Sequence, residues 1–215
     1  MTDPLERLLK NESQVAIARL EDSVVKAIYE ADAGVVLHGG TAIWRCYGGS
    51  RFSSDIDMYL TDAQVRKFNN ELTWSISKYQ MKHDPPSHDG RRIKVFNDYA
   101  KTIIEAMRPL PGLKPVSALY EAANGTRFTV RTLSVDNFIK EKMHTYEKRF
   151  YARDLFDVYQ LVINYDILSG TKKQVLNFVE GVNRPKDENV LKDIVYVGPA
   201  PTFDEMINGI RGRLK

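Results

Sequence analysis

The stretch Leu37-His38-Gly39-Gly40-Thr41-Ala42-Ile43, followed by Arg51-Phe52-Ser53-Ser54-Asp55-Ile56-Asp57-Met58-Tyr59-Leu60, decides how the chain is read. The run Val35-Val36-Leu37 reads as a short buried strand, and the glycine pair turns it into a helix reaching about Tyr47. Gly48-Gly49-Ser50 ends that helix. From Asp55 to Leu60 acidic and apolar residues alternate, as on a strand with one polar and one buried face, so Asp55 and Asp57 point to the same side. Two such carboxylates suit magnesium, a hard ion that combines one or two carboxylates with phosphate oxygens. A pair of these ions can hold an attacking oxygen and a leaving pyrophosphate in line. At Gly39 and Gly40 the missing side chains let backbone N–H groups face a phosphate, and the helix starting there adds the positive end of its dipole. Thr41 or Ser53 offers a hydroxyl to the same anion, and Arg51 a forked cation.

Outward from this stretch, residues 5–32 read as a helix, with Leu20, Val24 and Ile28 among the residues recurring at helical period. Thr61 and Asp62 cap a helix expected to run to about Met81, and Pro85 to Gly90 form a loop. Arg92–Phe96 and Thr102–Ala106 read as strands, Pro109, Pro111 and Pro115 as a crossover or linker, and Phe128–Arg131 as a further strand. Ser134 caps a long helical region that runs through Val162 with a bend near Phe150, and helices near 171–180 and 203–214 complete the chain. This order defines an α+β class: a lobe with a mixed sheet over 1–115 and a mainly helical lobe over 116–215.

Composition narrows the function classes. A chain of 215 residues, 43% hydrophobic and 27% charged, buries a globular core. Its apolar runs are short, and Met1-Thr2-Asp3-Pro4-Leu5-Glu6-Arg7 lacks the cationic start and apolar stretch of a signal peptide, so a cytoplasmic protein with no membrane partner is expected. One cysteine, Cys46, excludes an intrachain disulfide, and its apolar helical setting argues against a catalytic thiol. His38, His83, His88 and His144 lack the spacing of zinc ligands. His38, beside the glycine turn, is placed either to touch a nucleotide or to make a structural hydrogen bond. A net charge of +3 does not diagnose nucleic-acid binding, but Arg91, Arg92 and Lys94 with Phe96 make a basic strand that either meets an RNA backbone or lines a solvated edge.

Gly39-Gly40-Thr41-Ala42 through Gly49, Arg51, Ser53 and Asp55-Ile56-Asp57 resembles the first motif of the AbiEii-type nucleotidyltransferases, toxins of abortive-infection toxin–antitoxin pairs within the polymerase-β superfamily. Glu141-Lys142, Arg149 and Arg153-Asp154-Leu155-Phe156-Asp157-Val158-Tyr159 is similar to the second block of the same family. The resemblance implies a polymerase-β-like lobe and a magnesium-dependent enzyme, with room for two ions, that moves a nucleoside monophosphate from an NTP to an acceptor. In several members that acceptor is the 3′ end of tRNA. It implies RNA and a separately encoded antitoxin as partners. Carried over by position, Asp55 and Asp57 are metal ligands, and Gly39, Gly40 and Ser53 line the triphosphate. Lys142 neutralises phosphate charge, and Asp157, or else Asp154, completes a distal polar cluster.

The superfamily adds a further acid on a neighbouring strand, as a base or a metal ligand. Glu105, inside an apolar strand pattern, is the best candidate, with Asp98 and Glu121 as alternatives. If 142–157 were one helix, Lys142, Arg149, Arg153 and Asp157 would form a single charged stripe. The rival classes are a catalytically weak nucleotide-binding regulator and a nucleotidyltransferase that modifies a small molecule or a protein.

Overall fold

The computed structural model describes residues 3–61, 63–64, 80–83 and 90–215. The chain divides into two units, Met1–Cys46 with Phe52–Leu133 and Tyr47–Arg51 with Ser134–Lys215.

In the first unit, helix α1 (Glu12–Ala31) starts where the Asn11 side chain accepts the Gln14 N–H, satisfying one of the donors that a helix start leaves open. Its Leu20, Val24, Val25 and Ile28 are buried. A short 3₁₀ turn, Leu5–Arg7, replaces the first turns of the longer helix expected from residue 5. Strand β1 (Val36–His38), helix α2 (Gly39–Cys46) and strand β2 (Asp55–Tyr59) follow as expected. Thr61 accepts the Gln64 N–H, as a cap does, but residues 65–79 of the next expected helix lie outside the described residues, as does most of the loop after Pro85. That helix does not reach Met81, because Gln80–His83 form strand β3. Strands β4 (Gly90–Phe96), β5 (Lys101–Met107), β6 (Val116–Glu121) and β7 (Arg127–Thr132) complete the unit.

Among the described residues these strands make one seven-stranded mixed sheet in the order β3-β4-β5-β2-β1-β7-β6. Two of its pairings are parallel, β2 with β5 and β1 with β7. One face is apolar: Ile56, Met58, Ile93, Val95, Ile104 and Ala106 are all buried, and α1 packs on β5 and β2. Because β7 pairs with β1 and β6 with β7, residues 116–133 belong to the sheet, and the first unit runs to Leu133 rather than ending at 115.

The second unit is helical: α3 (Val135–Arg149), α4 (Ala152–Asn164), α5 (Ser169–Gly181), the short α6 (Leu191–Ile194) and α7 (Phe203–Leu214). Ser134 caps α3 by accepting the Asn137 N–H. The bend read near Phe150 is a full break, since Phe150 takes the left-handed conformation that ends a helix. Thr202 and Glu205 form a capping box at the start of α7. Residues 47–51, between the glycine turn and the paired aspartates in sequence, are tied to this unit. The Ser50 N–H donates to Gln160 Oε1 at 2.7 Å, and the Tyr165 and Tyr196 hydroxyls donate to the carbonyls of Tyr47 and Gly49. Among the described residues no helix is long and apolar enough to cross a membrane.

Candidate active site

The first half of the site is built by β1, α2, β2 and β5. Gly39 has φ +72°, and a Cβ added to it would stand 1.9 Å from Asp57 Oδ2. Two demands therefore fall on one residue: a backbone turn that L side chains rarely adopt, and room for a carboxylate against the start of α2. The Thr41 hydroxyl, fully buried, donates to the Asp55 carbonyl at 2.6 Å. That bond ties the first turn of α2 to the start of β2, so Thr41 acts on the strand backbone rather than offering its proton to a phosphate. Gly40 is buried within the same turn, and Ser53 is half-buried in the segment leading into β2.

Asp55 and Asp57 are half-buried while Ile56 and Met58 between and beyond them are buried, so the two acids share the face opposite the apolar core. The parallel pairing of β2 with β5 sets Glu105 directly beside Asp57, and cross-strand partners point to the same side. Neither alternative acid has that position. Asp98 lies in the turn after β4, and Glu121 on β6 pairs with Arg127 at 2.8 Å. Glu105 itself accepts a contact from Arg92 at 3.3 Å, both side chains being about half exposed. Hard oxygen donors, two on one strand with a cradle kept open by Gly39, fit a magnesium ion that takes its remaining ligands from phosphate and water. Among the described residues no three His, Cys, Asp or Glu side chains converge on one point, so the third acid is adjacent in register without being gathered in.

His38, the β1 partner of Asp57, stacks its ring on Tyr59 with centroids 3.8 Å apart and planes 5° from parallel. Burial pushes the Cys46 thiol up to about 12, which keeps it un-ionised and matches its reading as an inert residue.

The second unit holds its own polar cluster. Arg51 grips Asp157 through both ends of its guanidinium, Nε to Oδ1 at 2.6 Å and Nη2 to Oδ2 at 2.7 Å. Lys142 Nζ lies 2.9 Å from Asp157 Oδ2 and 3.5 Å from Asp154 Oδ1. Arg149 in turn grips Asp154 at 2.7 and 2.8 Å. Arg51, Lys142, Asp154 and Asp157 are all buried. Burial works to raise the Asp157 carboxyl, but the charges of Arg51 and Lys142 and their hydrogen bonds hold it below the usual carboxylate range. Arg51, expected at a phosphate, thus turns its forked face to Asp157, a partner 106 positions along the chain. The single stripe that one continuous helix would have made does not form, because the break at Phe150 starts a new helix. Lys142 and Asp157 meet, whereas Arg149 turns to Asp154 and Arg153 lies 5.6 Å from the Tyr151 ring.

Sequence reading missed a third cluster, in the core of the first unit. Arg45 on α2 pairs with Asp22 at 3.1 Å and lies 4.0 Å from Glu21, which is fully buried. Burial, opposed by Arg45, raises the Glu21 carboxyl well above its ordinary value beside the Arg45–Asp22 pair. The available signal was spacing: Ala18, Glu21, Val25 and Ile28 fall on one helical face, which puts an acid among core residues.

A glycine turn thus leads into a helix, two aspartates stand on the adjoining strand and an acid lies in register beside them, on a mixed sheet. The family model described as "Nucleotidyl transferase AbiEii toxin, Type IV TA system" matches residues 26–208, and the chain belongs to that family. It is therefore a nucleotidyltransferase toxin of a type IV toxin–antitoxin system, with an antitoxin as its separate partner. Among solved structures it is similar to MenT4, nucleotidyltransferase toxin Rv2826c from Mycobacterium tuberculosis H37Rv, at 18% identity and TM-score 0.64 over 94% of this chain and 82% of that one. JHP933 from Helicobacter pylori matches at 16% identity and TM-score 0.64, over 95% and 91% of the two chains. ANT(2")-Ia, solved in complex with adenylyl-2"-tobramycin, matches at 15% identity and TM-score 0.52, over 77% and 98%. At these identities the likeness is one of fold. No curated protein sequence matches the chain.

Proposed function

We propose that the chain transfers a nucleoside monophosphate from an NTP to a hydroxyl of an RNA acceptor, with the 3′ end of tRNA as the favoured acceptor. The observation that carries this reading is the packing of the Asp57 carboxylate against Gly39, with Asp55 on the same strand face and Glu105 beside it in register. Asp55 and Asp57 are the residues that would hold magnesium, which, when bound, neutralises phosphate charge and aligns the attacking and leaving oxygens. The backbone N–H groups at Gly39 and Gly40, at the positive end of α2, would receive the triphosphate, and Ser53, two residues before Asp55 in sequence, would add a hydroxyl.

In the transfer a bond forms between the acceptor oxygen and the α-phosphorus, the bond from that phosphorus to the bridging oxygen breaks, and pyrophosphate leaves. Glu105 takes the acceptor hydroxyl's proton, a role suited to a half-exposed carboxylate next to Asp57. The ion pairs of Arg51 and Lys142 with Asp157 fix the segment that precedes Ser53 in sequence. The resemblance of both sequence blocks to a family several of whose members act on tRNA supports the choice of acceptor.

The test is incubation of the purified protein with each of the four α-labelled NTPs, total RNA and magnesium. Label on RNA, dependent on magnesium, is expected. Label only on a small molecule or on protein overturns the acceptor, and NTP binding without transfer to anything overturns the reaction.

A further inference from the structure

Resting on the RNA-acceptor reading above, we propose that the outer part of the same sheet face, on β5, β4 and β3, carries the acceptor's phosphodiester backbone, with Lys94 and Lys82 as its phosphate-binding cations. Register places them. Lys94 on β4 is the partner of Ile103 on β5, which is the partner of Asp55 on β2, and Lys82 on β3 is the partner of Lys94. Asp55, Ile103, Lys94 and Lys82 therefore form one row straight across four strands. At about 4.8 Å per strand the row spans about 14 Å from the metal-binding acids to the last strand. With a rise of about 3.4 Å per nucleotide in a helical strand, that length meets more than one backbone phosphate.

Burial places the row on the accessible face. Ile93 and Val95, on alternate positions of β4, are buried in the apolar core, so Arg92, Lys94 and Phe96 lie on the opposite face with the aspartates. Lys82 is exposed and Lys94 half-buried. Lys101, exposed on the same face of β5, adds a further cation, and half-buried Phe96 beside it offers a ring on which a base can stack.

Charge points to the occupant. Lysines stand directly opposite one another on neighbouring strands, which concentrates positive charge where a polyanion would lie. Among the described strand residues of this face the acids gather at the β2–β5 end, as a metal site requires, and the cations Lys94 and Lys82 stand on β4 and β3, as a phosphate chain requires. Arg92 is left out of the test because it pairs with Glu105 at the transfer site.

The experiment is fluorescence anisotropy with a fluorescein-labelled, 20-nucleotide single-stranded RNA over a salt series, without NTP, so that binding is read apart from transfer. For Lys82→Ala/Lys94→Ala the slope of log K against log salt should fall by about 1.4, since each phosphate contact to a single strand contributes about 0.7. Over the decade of salt below 1 M this is a loss of about 25-fold in affinity at 0.1 M. Lys82→Arg/Lys94→Arg and the exposed helical-unit variant Lys172→Ala/Lys173→Ala should keep the wild-type slope. If the double alanine variant loses its circular dichroism signature, Lys82→Ala alone should show half the slope change. A folded alanine variant with the wild-type slope, or a wild-type protein that binds no RNA, overturns the proposal. RNA binding lost with the two lysines in a protein that transfers no label supports the surface and discards the transfer reading. Transfer to RNA with an unchanged slope in the alanine variant does the reverse.

Discussion

Gly39→Ala separates the two demands that this position meets. The new Cβ would stand 1.9 Å from Asp57 Oδ2, 2.6 Å from its Cγ and 2.8 Å from its Cβ, whereas ordinary contact begins near 3.4 Å. Relief of that overlap moves the carboxylate by about 1.5 Å, and a misplacement of about 1 Å at a reacting centre costs about 100-fold, so transfer should fall at least that far. The φ of +72° adds a backbone cost of roughly 1–2 kcal/mol, which in a chain of this size lowers Tm by about 2–8 °C. Gly125→Ala is the control: φ is +84° there, but among the described residues no atom beyond its chain neighbours lies within 4 Å of the added Cβ. It should lose similar stability and keep full transfer. Thermal melts and label-transfer rates, taken well below both melting points, measure the two effects separately. If Gly39→Ala transfers as fast as Gly125→Ala, the placement of Asp57 at the reacting centre is refuted.

Three further outcomes follow from the same structure. Asp157→Ala leaves Arg51 and Lys142 buried without their carboxylate and should cost about 3–5 kcal/mol, read as a lower urea midpoint; a loss within experimental error contradicts the cluster's structural role. Glu105→Gln removes the proposed base but only a half-exposed ion pair, so transfer should fall by about 10²–10⁴-fold while stability changes by less than about 1 kcal/mol; undiminished transfer assigns the base elsewhere. Because Glu21 has a raised carboxyl pKa, its contribution to stability is full below the unfolded-state pKa and is lost as pH rises through the folded-state value. Glu21→Gln, neutral at every pH, should therefore be more stable than wild type at alkaline pH, an advantage that vanishes at acid pH. Parallel urea melts across the pH range check this, and a gap that does not change with pH counts against it.

Local features were legible from residues alone. The turn from β1 into α2 follows from Gly39, and the shared face of Asp55 and Asp57 from the two-residue period of a strand. The break at Phe150 showed only as a bend. What the sequence hid was mostly non-local. The strand bearing Glu105 was readable, but its parallel register with β2 depends on a partner nearly fifty residues away and leaves no local mark. Arg51 beside a phosphate motif reads as a phosphate ligand, and only the tertiary fold brings Asp157 to it. β6 was masked by Pro109, Pro111 and Pro115, which read as a linker although the strand begins just after them. β3 was read as the end of a helix, since four residues are too few for a two-residue period to stand out.

Asp57→Asn tests the central claim most directly, because it keeps the side chain's shape and removes only the charge proposed to hold the metal. With α-labelled NTPs, RNA and magnesium, the wild-type protein should label RNA. The variant, with an unchanged melting profile apart from the lost carboxylate's small contribution, should label none. Labelling by Asp57→Asn at the wild-type rate would contradict the account.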